Sequence, residues 1–311
     1  MDVVPMDLAR DCSTAETAWV QSEDSLMGPV PPPEPSEGVI GTMAARSRRA
    51  VGIARVTRTP LDSSLSLWTA STGDVLQLRL RASATSDDVA EVLDAWLALP
   101  AAAPEPGGDH ARLLRIPVAA RQVILPLIER GFVPATATLA RGVRPDDAPR
   151  PPGVVLRSAT PQDREPMRVL MRELLATEAA FGAVRERPGD LGDHYVDDAL
   201  RFGAGWLVIA EAEGVPIGWA SLAPPESSAW AAPSVSAGPV VYLGIAAVTA
   251  ACRSGGVGRA LAAALHSQAA RAGAAVSVLD ASVLNPWSVP FWHRHGYRPL
   301  WTTWHRRTPI T

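Results

Sequence analysis

The sequence predicts an α/β protein of two lobes, on three observations. Apolar strand-like runs alternate with helical periodicity over most of the chain beyond residue 42. A glycine-rich turn, Arg253-Ser254-Gly255-Gly256-Val257-Gly258, joins one such run to one such helix. A strand–helix pattern over residues 112–141 recurs over 277–306 at a constant offset of 165.

Taken in order, residues 1–42 are polar, acidic and proline-rich, and are expected to form a disordered arm. Residues 43–143 hold the first lobe. Val75–Leu80 alternates as a strand, and Ser86 or Asp87 caps a helix running to about Leu99. A strand over Ala111–Ile116, a helix from about Ala119 to Glu129 and a strand from Phe132 follow. Residues 144–153 are rich in proline and read as a linker. The second lobe, 154–311, opens with a strand over Val154–Ser158. A helix capped near Thr160, with Pro161 at its first position, then runs to about Glu178. Next come a short helix over Tyr195–Phe202, a hairpin of Trp206–Ala212 with Pro216–Ala223, and a loop to Pro239. The strand Val240–Val248 feeds the glycine turn and a helix to about Arg271. The lobe closes with a strand from Ala275, a helix from Ser288 and a strand from Tyr297.

Composition narrows the function classes. The 311 residues are 47% hydrophobic and 20% charged with a net charge of −3, so no nucleic-acid-binding face is expected. Lysine is absent, which excludes Schiff-base chemistry and the lysine-bearing nucleotide loop. Cys12 and Cys252 stand in unrelated contexts, which favours a reduced, cytoplasmic setting. Neither a membrane span nor a secretory signal is expected, the first residues lacking a basic segment followed by an apolar one. The six histidines match no zinc spacing, and no metal site is expected.

The glycine turn carries the chemistry. A helix start offers N–H groups with no intrahelical partner and a partial positive charge, which suits phosphate. Glycines at 255, 256 and 258 let a pyrophosphate approach the backbone, and Arg253 and Arg259 add charged donors. The alternative is a plain strand-to-helix turn with solvated arginines.

The spacing Arg253-x-x-Gly256-x-Gly258 resembles the coenzyme A loop of the GCN5-related N-acetyltransferases, the GNAT superfamily. The order of elements in the second lobe is similar to that family's over about 155 residues, with the turn after the fourth strand. The resemblance implies an acetyltransferase fold, a central mixed and mostly antiparallel sheet flanked by helices. It implies acetyl-CoA as co-substrate and an amine as acceptor. Cofactor contacts then fall on Ala246, Ala247, Val248, Arg253, Ser254, Gly255, Gly256, Val257, Gly258 and Arg259. Asn285, Phe291-Trp292 and Gly296-Tyr297 resemble the family's second signature, which places Asn285 near the pantetheine arm; a turn or cap role is the alternative.

Seven residues beyond Asn285, where many members carry a tyrosine acid, stands Trp292, whose indole can donate a hydrogen bond but no proton. Trp292 is expected to pack in the core or against the cofactor. Water, His293 and Tyr242 are the weak substitutes for the missing acid. Asp280 resembles a general-base position of the branch that acetylates protein N-termini, with a solvated or arginine-paired carboxylate as the alternative. Glu226 and Glu211 are further carboxylate candidates. Cys252 adjoins the phosphate turn and is expected to be structural. Trp287, Trp292, Trp301 and Trp304 are expected to be mostly core, with a patch lining an aromatic or apolar acceptor pocket as the alternative.

The repeat is read as making the first lobe a shortened, degenerate copy, in which Arg253, Gly256 and Gly258 fall on Thr85, Asp88 and Ala90 at offset 168; chance similarity of two strand–helix units is the alternative. An aspartate there repels a pyrophosphate. The expected function is acetyl transfer to an amine. The rivals are a non-catalytic acyl-CoA-binding or regulatory protein and a structural subunit, and a homodimer is an open expectation.

Overall fold

The computed structural model describes residues 6–31, 39–146, 148–185, 187 and 189–307, in two compact units. The first comprises residues 1–61, 69–138 and 299–311, the second 62–68 and 139–298. The division corrects the expected boundaries at three places. Among the described residues, those of the linker 144–153 fall in the second unit, whereas residues 6–31 and 39–42 and the last strand from Pro299 fall in the first.

The expected disordered arm contains helix α1, Met6–Glu23, and the start of strand β1, Val39–Ala44; residues 1–5 and 32–38 lie outside the described ones. α1 buries Leu8, Ala9 and Cys12 against Val51 and Ile53. The same face also buries Ser13 and Glu16, and these polar positions hid the apolar stripe. Both are satisfied. The Arg79 Nε donates to Ser13 Oγ at 3.2 Å, and the Leu80 N–H donates to Glu16 at 3.2 Å. Burial pushes the Glu16 carboxyl up to about 8, against the opposing pull of Arg79. Arg79 also donates to the Pro31 carbonyl at 2.9 Å, which fastens the segment following α1.

Strands β2 (Ala50–Arg58) and β3 (Thr72–Leu80) extend β1 antiparallel, and β4 (His110–Pro117) joins β3 in parallel. The crossover between β3 and β4 is α2, Ser86–Leu97, and α3 (Ile124–Glu129) leads into β5, Val133–Gly142. The C-terminal strand β11, Arg298–Arg307, pairs antiparallel with β4, Trp304 lying opposite Leu114. Trp304 joins Leu76, Val89, Trp96 and Phe132 in this unit's core. The helix cap is Thr85 rather than Ser86 or Asp87; its hydroxyl accepts from the Asp88 N–H, and Asp88 accepts in return from the Thr85 N–H.

In the second unit, β6 (Val154–Ser158), β7 (Leu207–Ala212), β8 (Val215–Ala223) and β9 (Val240–Val248) form successive antiparallel pairs. β10, Val276–Ser282, is parallel to β9, and β5 lies on its other side. Helices α4 (Arg164–Ala180) and α5 (Leu191–Gly203) cover a core of Met167, Leu170, Val196, Ile209 and Trp219. Between β9 and β10 runs α6, Val257–Arg271, with Val257, Leu261, Leu265 and Ala269 buried along one stripe. α7 spans Ser288–Arg294. Strand pairing is mixed and mostly antiparallel with flanking helices, as expected.

Candidate active site

β9 and β10 pair only from Val240↔Val276 to Leu243↔Leu279. Beyond Leu243 a bulge shifts β9 by one residue against β8: Leu222 faces Leu243 while Ala220 faces Ala246. β9 stays with β8 to Val248, so its side toward β10 is left open. The result is a cleft of about 1290 Å³. Ala246–Val248 form one wall, Leu170, Leu174, Thr177 and Glu178 of α4 another, and Asn285, Phe291 and Trp292 a third.

The glycine turn borders this cleft through Arg253, Ser254, Gly256, Gly258 and Arg259; Gly255 is exposed beside them. Gly256 has φ +86° and stands at the N-cap of α6 with no side-chain cap. A side chain is strained there and would meet Pro151 at 3.4 Å. At Gly258 a Cβ would lie 3.5 Å from Phe291. The first turn of α6 thus presents backbone N–H groups to the cleft. Arg253, by contrast, turns back: its Nε donates to the Val248 carbonyl at 3.1 Å, and its guanidinium lies 3.4 Å from Glu173. Glu173 also accepts from the Ala250 N–H and the Thr249 hydroxyl. Arg253 therefore braces the turn against α4. Cys252 is a partly exposed free thiol at the turn's start.

Asn285 combines both of its expected roles. Its Oδ1 accepts from the Trp287 and Ser288 N–H groups at 2.9 and 3.2 Å, which caps α7. Its Nδ2 donates to Glu178 at 2.6 Å. Burial raises the Glu178 carboxyl, and the amide bond pulls against it. Trp292 is 6% exposed and edge-on to Phe291 and Tyr297, a core residue whose rim faces the cleft. Trp301 and Trp304 are buried in the first unit, whereas Trp287 is 61% exposed.

The carboxylate candidates separate. Tyr242 is opposite Val278, and Asp280, two residues on, shares its face of the sheet. The Tyr242 hydroxyl donates to Asp280 Oδ2 at 3.2 Å. Burial, then the Asp280 charge, raises the phenol well above its usual range. This pair stands where the strands begin to part, next to the cleft and outside its lining. Trp230 packs on Tyr242 with ring centroids 4.5 Å apart. Glu226 is exposed on a short 3-10 turn and has no place in the cleft. Glu211 is bound to Arg157 at 2.8 Å, beside Asp163, in a structural ion-pair group.

Sequence reasoning missed Tyr195 and Ser221. At Gly244, in the bulge, a Cβ would lie 3.0 Å from both the Ser221 Oγ and the Tyr195 hydroxyl. Ser221 accepts from the Ile245 N–H at 2.8 Å and bonds Tyr195, whose phenol burial raises. Tyr195 also lies within electrostatic reach of Tyr242. Glu173 and Glu178 were missed as well. A signal existed: Leu170, Leu174, Thr177 and Glu178 share one face of α4, where polar groups interrupt an apolar stripe.

The degenerate turn also needs correction. By helix starts Thr85 matches Gly256, because only five residues join β3 to α2 against eight between β9 and α6. The three-residue deficit displaces the expected match of Gly256 with Asp88.

Residues 170–297 match the family model described as Acetyltransferase (GNAT) family. A GCN5-related N-acetyltransferase from Sphaerobacter thermophilus is similar in structure, with a TM-score of 0.55 at 15% identity over 99% of this chain and 95% of that one. Another from Kribbella flavida gives a TM-score of 0.42 at 15% identity over 97% and 96%. No curated protein matches the sequence. At 15% identity the likeness to the Sphaerobacter thermophilus structure concerns the fold alone. Among the described residues no group of three potential metal ligands converges, and no helix is long and apolar enough to cross a membrane.

Proposed function

Since residues 170–297 form a domain of the acetyltransferase (GNAT) family, we propose that the chain moves an acetyl group from acetyl-CoA to a primary amine. The observation that carries this reading is the coincidence of two features. The cleft opened by the parting of β9 and β10 runs to the uncapped N-terminus of α6 at Gly256. A thioester on a pantetheine arm fits the first, a pyrophosphate the second.

The residues divide the work. N–H groups of Ser254–Gly258 hold the pyrophosphate, and backbone groups on the open side of Ala246–Val248, other than the Val248 carbonyl held by Arg253, pair with the pantetheine amides. Bringing amine and thioester together supplies much of the acceleration. The amine nitrogen attacks the thioester carbonyl carbon, and the carbon–sulfur bond breaks as the amide forms. Asp280 takes the proton that the ammonium must lose, directly or through one water. Tyr242 and Tyr195, both raised, stay protonated at neutral pH. Tyr195 therefore steadies the departing thiolate as a hydrogen-bond donor, while Tyr242 keeps its hydroxyl proton on Asp280. The proton that nitrogen sheds as the amide forms leaves to solvent, and the thiolate takes one from solvent. The acceptor enters on the side of Trp230, Tyr242 and Asp280. A cytoplasmic location accords with two free cysteines.

The first unit is read as a companion lobe without a cofactor. Thr85 and Asp88 cap α2 reciprocally, with Asp87 and Asp88 in its first turn, so this helix start is occupied and negative.

A second reading, a non-catalytic acyl-CoA-binding protein, is favoured by Trp292 in place of an acid and by the raised phenols. Thiol release from acetyl-CoA across a panel of amines separates the two. Turnover that is lost in Asp280→Ala supports the enzyme; binding of acetyl-CoA without thiol release from any amine supports the binder.

A further inference from the structure

Besides Arg253 the cleft is lined by four arginines, of which Arg141 faces Asp146, leaving the guanidinium groups of Arg144, Arg259 and Arg294. They come from three separate elements. Arg259 is in the first turn of α6 and Arg294 in the last turn of α7. Arg144 lies on the segment following β5, and its guanidinium is 3.9 Å from where a Cβ on Gly296 would stand. That segment is tied down. Ser267 donates to the Asp146 carbonyl at 3.2 Å, and Asp146 Oδ2 is 3.4 Å from His266 Nδ1. His266 is two turns beyond Arg259, on the same face of α6.

Among the described residues none of the three has a carboxylate partner. The two carboxylates that line the cleft are engaged elsewhere: Glu178 takes the Asn285 amide, and Asp146 faces His266 and Arg141. Arg253 is held by Glu173. Three like charges gathered around one cleft repel one another unless an anion joins them. The N–H groups of the turn already account for a pyrophosphate.

We propose that Arg144, Arg259 and Arg294 bind the 3′-phosphomonoester of the coenzyme's ribose and make the chain discriminate coenzyme A from its 3′-dephospho form. A phosphomonoester carries close to two charges and three acceptor oxygens, and guanidinium forks match them in pairs. The inference rests on the acetyl-CoA reading given above. It adds a determinant that the glycine turn cannot supply, since the turn meets only the pyrophosphate common to both nucleotides.

The test is calorimetric titration of the full chain with acetyl-CoA and with 3′-dephospho-acetyl-CoA. The unmodified chain is expected to bind acetyl-CoA at least about tenfold more tightly, the scale of one or two charge-assisted hydrogen bonds. Arg144→Ala and Arg294→Ala are exposed substitutions. Each should shrink that ratio toward unity while leaving the affinity for the dephospho form unchanged. Equal binding of both nucleotides by the unmodified chain overturns the proposal, as do variants that weaken both equally. Binding of neither nucleotide overturns the acetyl-CoA reading itself.

Discussion

Asn285 joins the end of α4 to the start of α7: its Nδ2 donates to Glu178 Oε1 at 2.6 Å while its Oδ1 takes two N–H groups of the following turn. One side chain thus fixes two walls of the cleft. Asn285→Ala removes the cap and leaves the half-buried Glu178 without its donor, a loss of about 2 kcal/mol. Asn285→Asp sets a second carboxylate against Glu178. It should therefore destabilise more at pH 8 than at pH 5, where protonation relieves the repulsion. Urea unfolding at both pH values measures the difference.

Gly244 sits in the bulge that parts the strands. In Gly244→Ala the new methyl meets Ser221 and Tyr195 at 3.0 Å each, so one of them must move. The expected cost is about 1–2 kcal/mol. Displacing Tyr195 should also slow thiol release with the affinity for acetyl-CoA nearly unchanged. Thermal unfolding beside steady-state kinetics checks both parts.

Asp280→Asn removes the base, and a fall in kcat of about 10²-fold is expected. It also removes one of the charges that raise Tyr242, so the phenol should titrate at lower pH in this variant than in the unmodified chain. Ultraviolet titration of tyrosinate reads that shift directly. Tyr242→Phe should cost less than Asp280→Asn, because a hydrogen bond rather than a proton acceptor is lost.

His266 supplies a stability term with a definite sign. Burial, then Arg141, lowers its pKa from 6.5 to about 4. The unfolded chain therefore takes up the proton first as pH falls. The stability contributed by neutral His266 is complete above about pH 6.5 and is lost progressively down to about pH 4, in all about 3 kcal/mol. His266→Gln should flatten this part of the stability–pH curve.

The second unit was largely legible in the sequence because its elements obey local rules. The strand Val154–Ser158 and the strand Val240–Val248 coincide with their expected bounds. The turn between Val248 and Val257 announces itself by glycine. What escaped depends on tertiary partners. α1 was hidden because Glu16 and Ser13 stand in its buried stripe, satisfied by Arg79 and Leu80 more than 60 residues away. The C-terminal strand was assigned to the second lobe by adjacency, yet its register with β4 places it in the first unit. Tyr195 and Ser221 carry no motif; only the bulge at Gly244 brings them together. Glu226 was a candidate through its loop alone, and the loop holds it away from the cleft.

The central claim is a single acetyl-CoA site built on the turn Arg253–Gly258. Calorimetric titration with acetyl-CoA should give one equivalent per chain. In Gly256→Asp, where a side chain is strained at φ +86° and adds a charge beside the pyrophosphate, binding should fall at least about tenfold. Two equivalents per chain, or an affinity untouched by Gly256→Asp, would contradict the account.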